Sequence, residues 1–147
     1  MSLTDRINQD VKEAMKARDK DTLKVIRMLK AGLQKEQLEH SEPLTDEEEL
    51  TIITRELKQR KDSLAEFEKA GRQDLVEEVT AEIAIVERYL PEQLTEEEVE
   101  SKIKSIIDDI GASSSADFGK VMGKAMAELK GQADGKVVNS ITKKLLG

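Results

Sequence analysis

Residues 45–91 decide the fold, and they read TDEEELTIITRELKQRKDSLAEFEKAGRQDLVEEVTAEIAIVERYLP. The stretch opens with Thr45 and Glu48, whose spacing is that of a capping box and predicts a helix N-terminus. Apolar residues then recur at helical intervals up to Gly71, a suitable residue just after a helix, and resume until Pro91. Because only a short turn at Gly71 separates the two periodic segments, the sequence predicts a long antiparallel helix hairpin.

Two further helices are predicted before this hairpin. The apolar period indicates a first helix over about residues 3–18 and a second ending near residue 40. Asp19 or Asp21 could cap the second helix, and Pro43 separates it from the third. The positions expected to face the core are Ile7, Val11, Ala14, Met15, Val25, Ile26, Leu29, Leu33, Leu50, Ile53, Leu57, Leu64, Phe67, Leu75, Val79, Ile83, Val86 and Leu90.

Three shorter helices are predicted in the remainder of the chain. A second capping box begins at Thr95, and Gly111 ends the helix that it opens. The next helix ends at Gly131, and Asp134 can cap the last one. Since no segment alternates with period two over the length of a strand, the chain is predicted to be all-α.

The seven helices are predicted to form two domains that differ in charge. Four helices fall in residues 1–92 and three in residues 93–147. The whole chain carries 24 Lys+Arg and 31 Asp+Glu, a net charge of −7. Residues 1–94 hold 16 basic and 22 acidic side chains, or −6, whereas residues 117–147 hold six lysines and three carboxylates, or +3. The C-terminal helices are therefore the basic end of an acidic molecule.

Composition argues against most kinds of chemistry. Without cysteine there is no disulfide, thiolate metal site or cysteine nucleophile. The single histidine, His40, excludes a multi-histidine metal site and makes a catalytic triad hard to build. We expect no catalytic residues, no metal and no cofactor, and hence a protein that is not an enzyme.

The N-terminus also bears on location. Residues 1–6 turn polar at once and lack the apolar region of a signal peptide. No apolar run approaches the roughly 20 residues that a membrane span needs. These features predict a cytoplasmic protein that has no membrane partner.

Several motifs resemble a known family. Residues 117–123 (DFGKVMG) and 130–139 (KGQADGKVVN) resemble the tail of the B subunit of the glutamine-dependent tRNA amidotransferase. Residues 60–63 (RKDS), 70–75 (AGRQDL) and 89–94 (YLPEQL) are similar to the free-standing YqeY-like proteins of the same GatB/YqeY family. The resemblance covers nearly the whole chain.

This resemblance implies a helical N-terminal part joined to a small three-helix C-terminal part. It also implies a noncatalytic module that holds the body of a tRNA while amidation occurs elsewhere in the complex. Any carbon–nitrogen ligase label would then describe the amidotransferase complex and not this chain.

The tail motifs supply the candidate RNA-binding residues. The small residues Gly119 and Gly123 share a helix face, which favours close packing of another helix within the domain. The alternative is that an RNA backbone lies against this notch beside Lys120 and Lys124, unless those lysines form ion pairs along their own helix. The full candidate set is Gly119, Lys120, Gly123, Lys124, Lys130, Lys136 and Lys143.

One lysine of this set stands out, because Lys136 lies in the first turn of the last helix. That end of a helix carries positive partial charge and favours acidic side chains, so a lysine there suits a bound phosphate. Asp134 weakens this interpretation, since its carboxylate could cap the same backbone donors. The Gly131 to Lys136 stretch is one residue short of a phosphate-binding loop and follows a helix, so it does not predict a nucleotide site.

A second basic stripe lies on the second helix and consists of Lys20, Lys24, Arg27 and Lys35. These residues share one face, opposite the apolar one, and could form a binding surface or an ordinary solvated face. Eight basic and three acidic residues in positions 12–35 predict a local positive potential.

Two charged features in the third helix favour structural explanations. Arg60 sits where an apolar residue is expected, which predicts a stem packed on the core and a head paired with a carboxylate; a ligand contact is the alternative. The acidic residues 46–49 are interpreted as first-turn charge that complements the helix dipole.

The aromatic content limits the mode of RNA binding. Only Phe67, Tyr89 and Phe118 are present, so stacking of single-stranded bases is disfavoured. We expect weak, salt-sensitive binding of folded tRNA through its backbone. The alternative is a helical protein–protein adaptor for a synthetase, an amidotransferase or another tRNA-processing partner.

Overall fold

The computed structural model describes residues 1–147 and contains seven α-helices and no strand, which confirms the all-α prediction. The chain divides into two compact units, Met1–Pro91 and Glu92–Gly147. None of the helices combines the length and apolarity that a membrane span requires. The helices are α1 (Leu3–Lys16), α2 (Lys20–Gln37), α3 (Asp46–Lys69), α4 (Gln73–Glu87), α5 (Glu96–Ile110), α6 (Phe118–Glu128) and α7 (Gly135–Leu146), with a short 3₁₀ turn at Ser115–Asp117 before α6.

Side-chain caps begin most of these helices, because the first backbone N–H groups of a helix have no partner within it. The capping boxes predicted at Thr45 and Thr95 are both formed. A third, at Ser2, was not predicted. Asp19 caps α2 and Asp134 caps α7, as the sequence indicated.

The helices end slightly earlier than the apolar period suggested. The first ends at Lys16 and the second at Gln37, before the predicted residues 18 and 40. Gly71 and Gly111, with φ of 68° each, take the left-handed conformation that stops α3 and α5.

The first unit packs its four helices around one apolar core. α3 lies against α4 and α1 against α2, and α2 also contacts both α3 and α4. Three predicted core positions differ: Met15 is 54% exposed, and Leu50 and Leu75 are half-buried outside the core cluster, whereas Ile52, two residues after Leu50, is buried. Met15 lies in the last turn of α1.

Arg60 is buried, with 6% of its surface exposed, and ties three helices together. Its guanidinium pairs with Glu56 in α3 at 2.9 Å and with Glu82 in α4 at 3.2 Å. A third nitrogen lies 3.6 Å from the sulfur of Met28 in α2. The predicted carboxylate pairing is therefore confirmed. Because Arg60 and Glu82 lie equally far from the Gly71 turn in sequence, this pair also sets how α3 and α4 align.

The acidic run lies in the first turn of α3, as interpreted, and one of its members, Glu49, has a further role. It is only 2% exposed, and its Oε2 accepts hydrogen bonds from the backbone N–H (2.8 Å) and the hydroxyl of Thr4. Glu49 thus caps the N-terminus of α1 from another helix, where a carboxylate is favoured by the helix dipole. Burial of a charge is otherwise costly, so these bonds are what make it tolerable.

Tyr89, just after α4, is held by two residues of α1. Its hydroxyl donates to Asp10, and the guanidinium of Arg6 lies over its ring, 5.2 Å from the centroid. Burial and the bond to Asp10 raise the pKa of Tyr89 above its usual 10.0.

The second unit is a three-helix cluster in which α5, α6 and α7 pack against one another. Its core is apolar and contains Val99, Ile103, Ile106, Val121, Ala125, Leu129, Val138 and Leu146. Thr142 is also buried, and its hydroxyl donates to the carbonyl of Val138 at 2.7 Å, so it leaves no unpaired donor.

Replacing Arg60 by Met should lower the free energy of unfolding of the first unit by about 3 kcal/mol, because Glu56 and Glu82 would be left without their shared cation. Urea unfolding followed by circular dichroism measures the change. The matched control is Arg55→Met, an exposed arginine of the same helix, for which we expect a change within about 0.5 kcal/mol. Equal losses in the two variants would show that the buried ion pairs are not what stabilises the helices.

The single tyrosine allows a clean alkaline test. Its raised pKa means that the folded state binds the phenolic proton more tightly than the unfolded state, so this stability is present below pH 10.0 and is lost as pH rises above it. Phenolate absorbance should therefore appear near pH 10 in urea but, in native buffer, only at higher pH, together with loss of helix. Asp10→Asn should bring the native titration closer to the urea curve. Superimposable curves for the folded and unfolded wild-type chain would contradict the prediction.

Candidate nucleic-acid interface

The outer face of α6 is formed by small residues and is open. Gly119 and Gly123 are exposed, and a Cβ built on either one would meet no atom within 4 Å. The favoured prediction, close packing of another helix of the domain on these glycines, is therefore wrong. The buried face of α6 instead carries Val121 and Ala125. The glycines leave a shallow, uncovered strip along the helix.

Lysines flank this strip on one side. Lys120 is exposed and has no carboxylate within ion-pair distance, whereas Lys124 pairs loosely with Glu128 at 3.9 Å. The row of ion pairs expected along α6 is only partly formed: Asp117 accepts the backbone N–H of Ser113 at 3.1 Å and forms no ion pair with Lys120. No carboxylate therefore competes with a ligand for Lys120.

The basic residues of α7 lie on its exposed side. Lys136 and Lys143 are seven residues apart, which places them on one face of the helix, and both are exposed without a carboxylate partner. The backbone N–H of Lys136 donates to Oδ1 of Asp134 at 2.9 Å. The cap therefore occupies the backbone N–H that could otherwise have bound a phosphate. Lys136 can contact a phosphate only through its ammonium group.

Lys130 lies in the turn between α6 and α7 and is half-buried. The turn passes through Gly131, a buried residue with φ of 78°. Two residues that the sequence reasoning did not single out contact it: the side-chain amide of Gln93 donates to the carbonyl of Gly131, and the N–H of Leu94 donates to the carbonyl of Gln132 at 2.9 Å. Both residues belong to the YLPEQL motif, which contributed to the sequence analysis only through its similarity to YqeY-like proteins and was assigned no physical role there.

The second basic stripe lies on the exposed side of α2. Lys20, Lys24, Arg27 and Lys35 are all exposed. Lys24 forms an ion pair with Glu78 of α4 at 3.7 Å, and both side chains are more than half exposed. Such a pair contributes little to stability. The stripe is part of the first unit, whereas the other candidate residues belong to the second.

The only histidine of the chain, His40, contacts glutamates of two different helices. Nε2 of His40 lies 3.3 Å from Glu36, at the end of α2, and Nδ1 lies 3.1 Å from Glu48, in the first turn of α3. Glu48 also accepts the N–H of Thr45 in its capping box, and these hydrogen bonds, with a smaller effect of His40, lower the pKa of its carboxyl. His40 therefore links the two helices across the Pro43 loop.

The α6–α7 surface can hold anions by charge. Its candidate residues are cations and small residues; of the three carboxylates near them in sequence, Asp117 and Asp134 accept backbone N–H groups and Glu128 pairs loosely with Lys124. Exposed cations beside an open backbone suit the phosphate groups of a ligand. This geometry can position a polyanionic ligand and neutralise part of its charge.

The open face of α6 predicts an unusual response to mutation. Gly123→Ala should raise the free energy of unfolding of the second unit by about 0.5–1 kcal/mol, because alanine favours the helix interior and its Cβ meets nothing. Gly32→Ala in α2 is the contrasting variant and should gain less stability than Gly123→Ala. Its Cβ would lie 3.3 Å from a carboxylate oxygen of Glu56, which pairs with Arg60. Thermal unfolding measures both. A loss of stability in Gly123→Ala would mean that the face is covered.

Sequence comparisons place this chain among known proteins. It is 37% identical over 84 residues to the altered inheritance of mitochondria protein 41 of Kluyveromyces lactis, which covers 56% of this chain and 45% of that protein. The protein of the same name from Lachancea thermotolerans is 36% identical over 85 residues, 57% of this chain and 46% of that protein. An uncharacterised protein of Schizosaccharomyces pombe is 27% identical over 86 residues, 58% of this chain and 70% of that protein.

The chain thus spans about half the length of the first two relatives. Their names place those two proteins in mitochondria, and none of the three names denotes an enzymatic activity. A family model described as Yqey-like protein matches residues 4–146, nearly the whole chain. The chain belongs to the YqeY-like protein family.

Proposed function

We propose that this protein is a noncatalytic tRNA-binding module that contacts the RNA backbone through the exposed sides of α6 and α7. The observation that carries the proposal is the uncovered Gly119–Gly123 strip beside Lys120, an exposed cation without a carboxylate partner. A backbone without Cβ atoms lets a sugar–phosphate chain approach closely. Lys136 and Lys143 extend the positive surface along α7.

The chemistry of these residues favours contacts to phosphate and sugar. Lysines bind phosphates as point charges, and such contacts fix the position of a nucleic acid without reading its sequence. Sequence-specific recognition of single-stranded RNA uses exposed aromatic rings, but Tyr89 is buried and Phe67 and Phe118 are half-buried against the two cores. A folded RNA recognised by its shape and charge, such as tRNA, fits this surface best.

The similarity of residues 117–123 and 130–139 to the tail of the tRNA amidotransferase B subunit supports the same ligand. That resemblance implies a module that holds the tRNA while the chemistry occurs elsewhere, so we propose no carbon–nitrogen ligase activity for this chain.

The two candidate surfaces differ in the net charge of the residues around them. The stripe on α2 adds local positive potential, but residues 1–94 carry a net −6, and a long polyanion laid along the stripe would also meet that acidic remainder. Residues 95–147 hold 8 basic and 9 acidic side chains, a net −1, and within them residues 117–147 carry +3. We therefore assign the main RNA contact to α6 and α7 and only an auxiliary one to Lys20, Lys24, Arg27 and Lys35.

Filter binding of folded tRNA, titrated from low to moderate salt, tests the proposal. The wild-type chain should bind weakly, with an affinity that falls steeply with salt. Lys120→Ala combined with Lys136→Ala should weaken binding and make the salt slope shallower by about 2, one for each lost phosphate contact. The matched control, Lys102→Ala with Lys104→Ala, makes the same change of charge in α5 and should leave the slope within about 0.5 of wild type.

Two results would contradict the proposal. If the wild-type chain binds no tRNA even at low salt, the adaptor function, in which one helix face binds a tRNA-processing protein, becomes the better hypothesis. If both double variants lose the same affinity, the attraction comes from overall charge and not from the α6–α7 surface.

A further inference from the structure

The residues that follow Pro91 contribute to the turn between α6 and α7. The side-chain amide of Gln93 donates to the carbonyl of Gly131, and the backbone N–H of the next residue, Leu94, donates to the carbonyl of Gln132. Two neighbouring residues thus bind two successive carbonyls of the turn, 38 residues away along the chain in each case. The contacts work as a pair because they fix both the place and the direction of the turn backbone.

The turn contains one hydrogen bond of its own, from the N–H of Gln132 to the carbonyl of Leu129 at 2.9 Å. Gly131 is buried and left-handed, and its carbonyl takes the amide of Gln93 as a donor from outside the turn. A buried carbonyl without a donor is costly, and loops that are not hydrogen-bonded within themselves depend on outside donors. Gln93 provides a neutral donor on a long side chain. A glutamate here would set a carboxylate against the same carbonyl oxygen.

The α6–α7 turn also affects the geometry of the candidate RNA surface. Lys130 lies within it, and Asp134 at its end caps α7 through the N–H of Lys136. The direction in which α7 starts, and hence the distance between Lys120 on α6 and Lys136 on α7, follows from the path of these few residues. A ligand whose phosphates have fixed spacing is sensitive to that distance.

We propose that Gln93 is a positioning residue of the RNA-binding surface, which acts through the carbonyl of Gly131 to fix where α7 starts and so where its lysines lie relative to those of α6. This inference rests on the proposed function. It gives the YLPEQL motif a physical role that its sequence alone did not suggest.

The test replaces Gln93 by Met, which has similar length and no hydrogen-bond donor, and which leaves the charge of the chain unchanged. Bound tRNA is measured against salt for the full-length wild type and variant. If one lysine no longer reaches its phosphate, the salt slope should become shallower by about 1 and the affinity at low salt should fall by roughly fivefold. Gln59→Met, at an exposed position of α3, is the matched control and should behave as wild type.

The salt slope separates positioning from stability. A variant that is merely less stable has fewer folded molecules, which lowers the bound fraction at every salt concentration and leaves the slope unchanged. Circular dichroism gives the folded fraction, and amide exchange should show faster exchange at Leu94 and in residues 130–134 of the Gln93 variant.

The outcomes distinguish this inference from the proposed function. A shallower slope in Gln93→Met, with an unchanged slope in Gln59→Met, supports the positioning role. Wild-type binding with the same slope in Gln93→Met overturns the positioning role alone. A wild-type chain that binds no tRNA overturns the proposed function, and the positioning role with it.

Discussion

A buried guanidinium is the constraint on which the first unit depends. Arg60 needs carboxylates from two directions, and Glu56 and Glu82 provide them from α3 and α4. The arrangement also leaves little room on α2: a Cβ at Gly32 would lie 3.3 Å from the carboxylate of Glu56, so a side chain there would have to displace one of the groups that hold Arg60. A charge buried in this way is of uncertain benefit to stability but penalises every alignment of the helices in which it is unpaired.

The sequence predicted the parts of the fold that depend on neighbours along the chain. The capping boxes at Thr45 and Thr95 and the glycine stop at Gly71 involve partners within a few residues, and all are present. Glu49 could not be recognised, because its partner Thr4 is 45 residues away and nothing in the acidic run distinguishes the one carboxylate that turns inward. Apolar period alone likewise could not choose between Leu50 and Ile52.

In the candidate site, too, the sequence predicted which residues are present but not their contacts with residues elsewhere. The sequence located the lysines and glycines, but the spacing of Gly119 and Gly123 states only that two Cβ atoms are absent and not what lies opposite them. The helical spacing allowed ion pairs for both Lys120 and Lys124, but only Lys124 has one, with Glu128. Asp117 accepts the N–H of Ser113 in the loop before α6, a contact that a residue pattern does not contain.

The number of free cations limits what the proposed module could do alone. Three exposed lysines without carboxylate partners, Lys120, Lys136 and Lys143, would release about three counterions from a nucleic acid, fewer than the six to ten of proteins whose affinity rests on phosphates. Screening over roughly 8 Å at physiological salt shortens the reach of those lysines further. A surface of this strength suits a module that adds a second contact to an RNA held elsewhere, because a tethered weak site raises the combined affinity without needing to bind tightly itself.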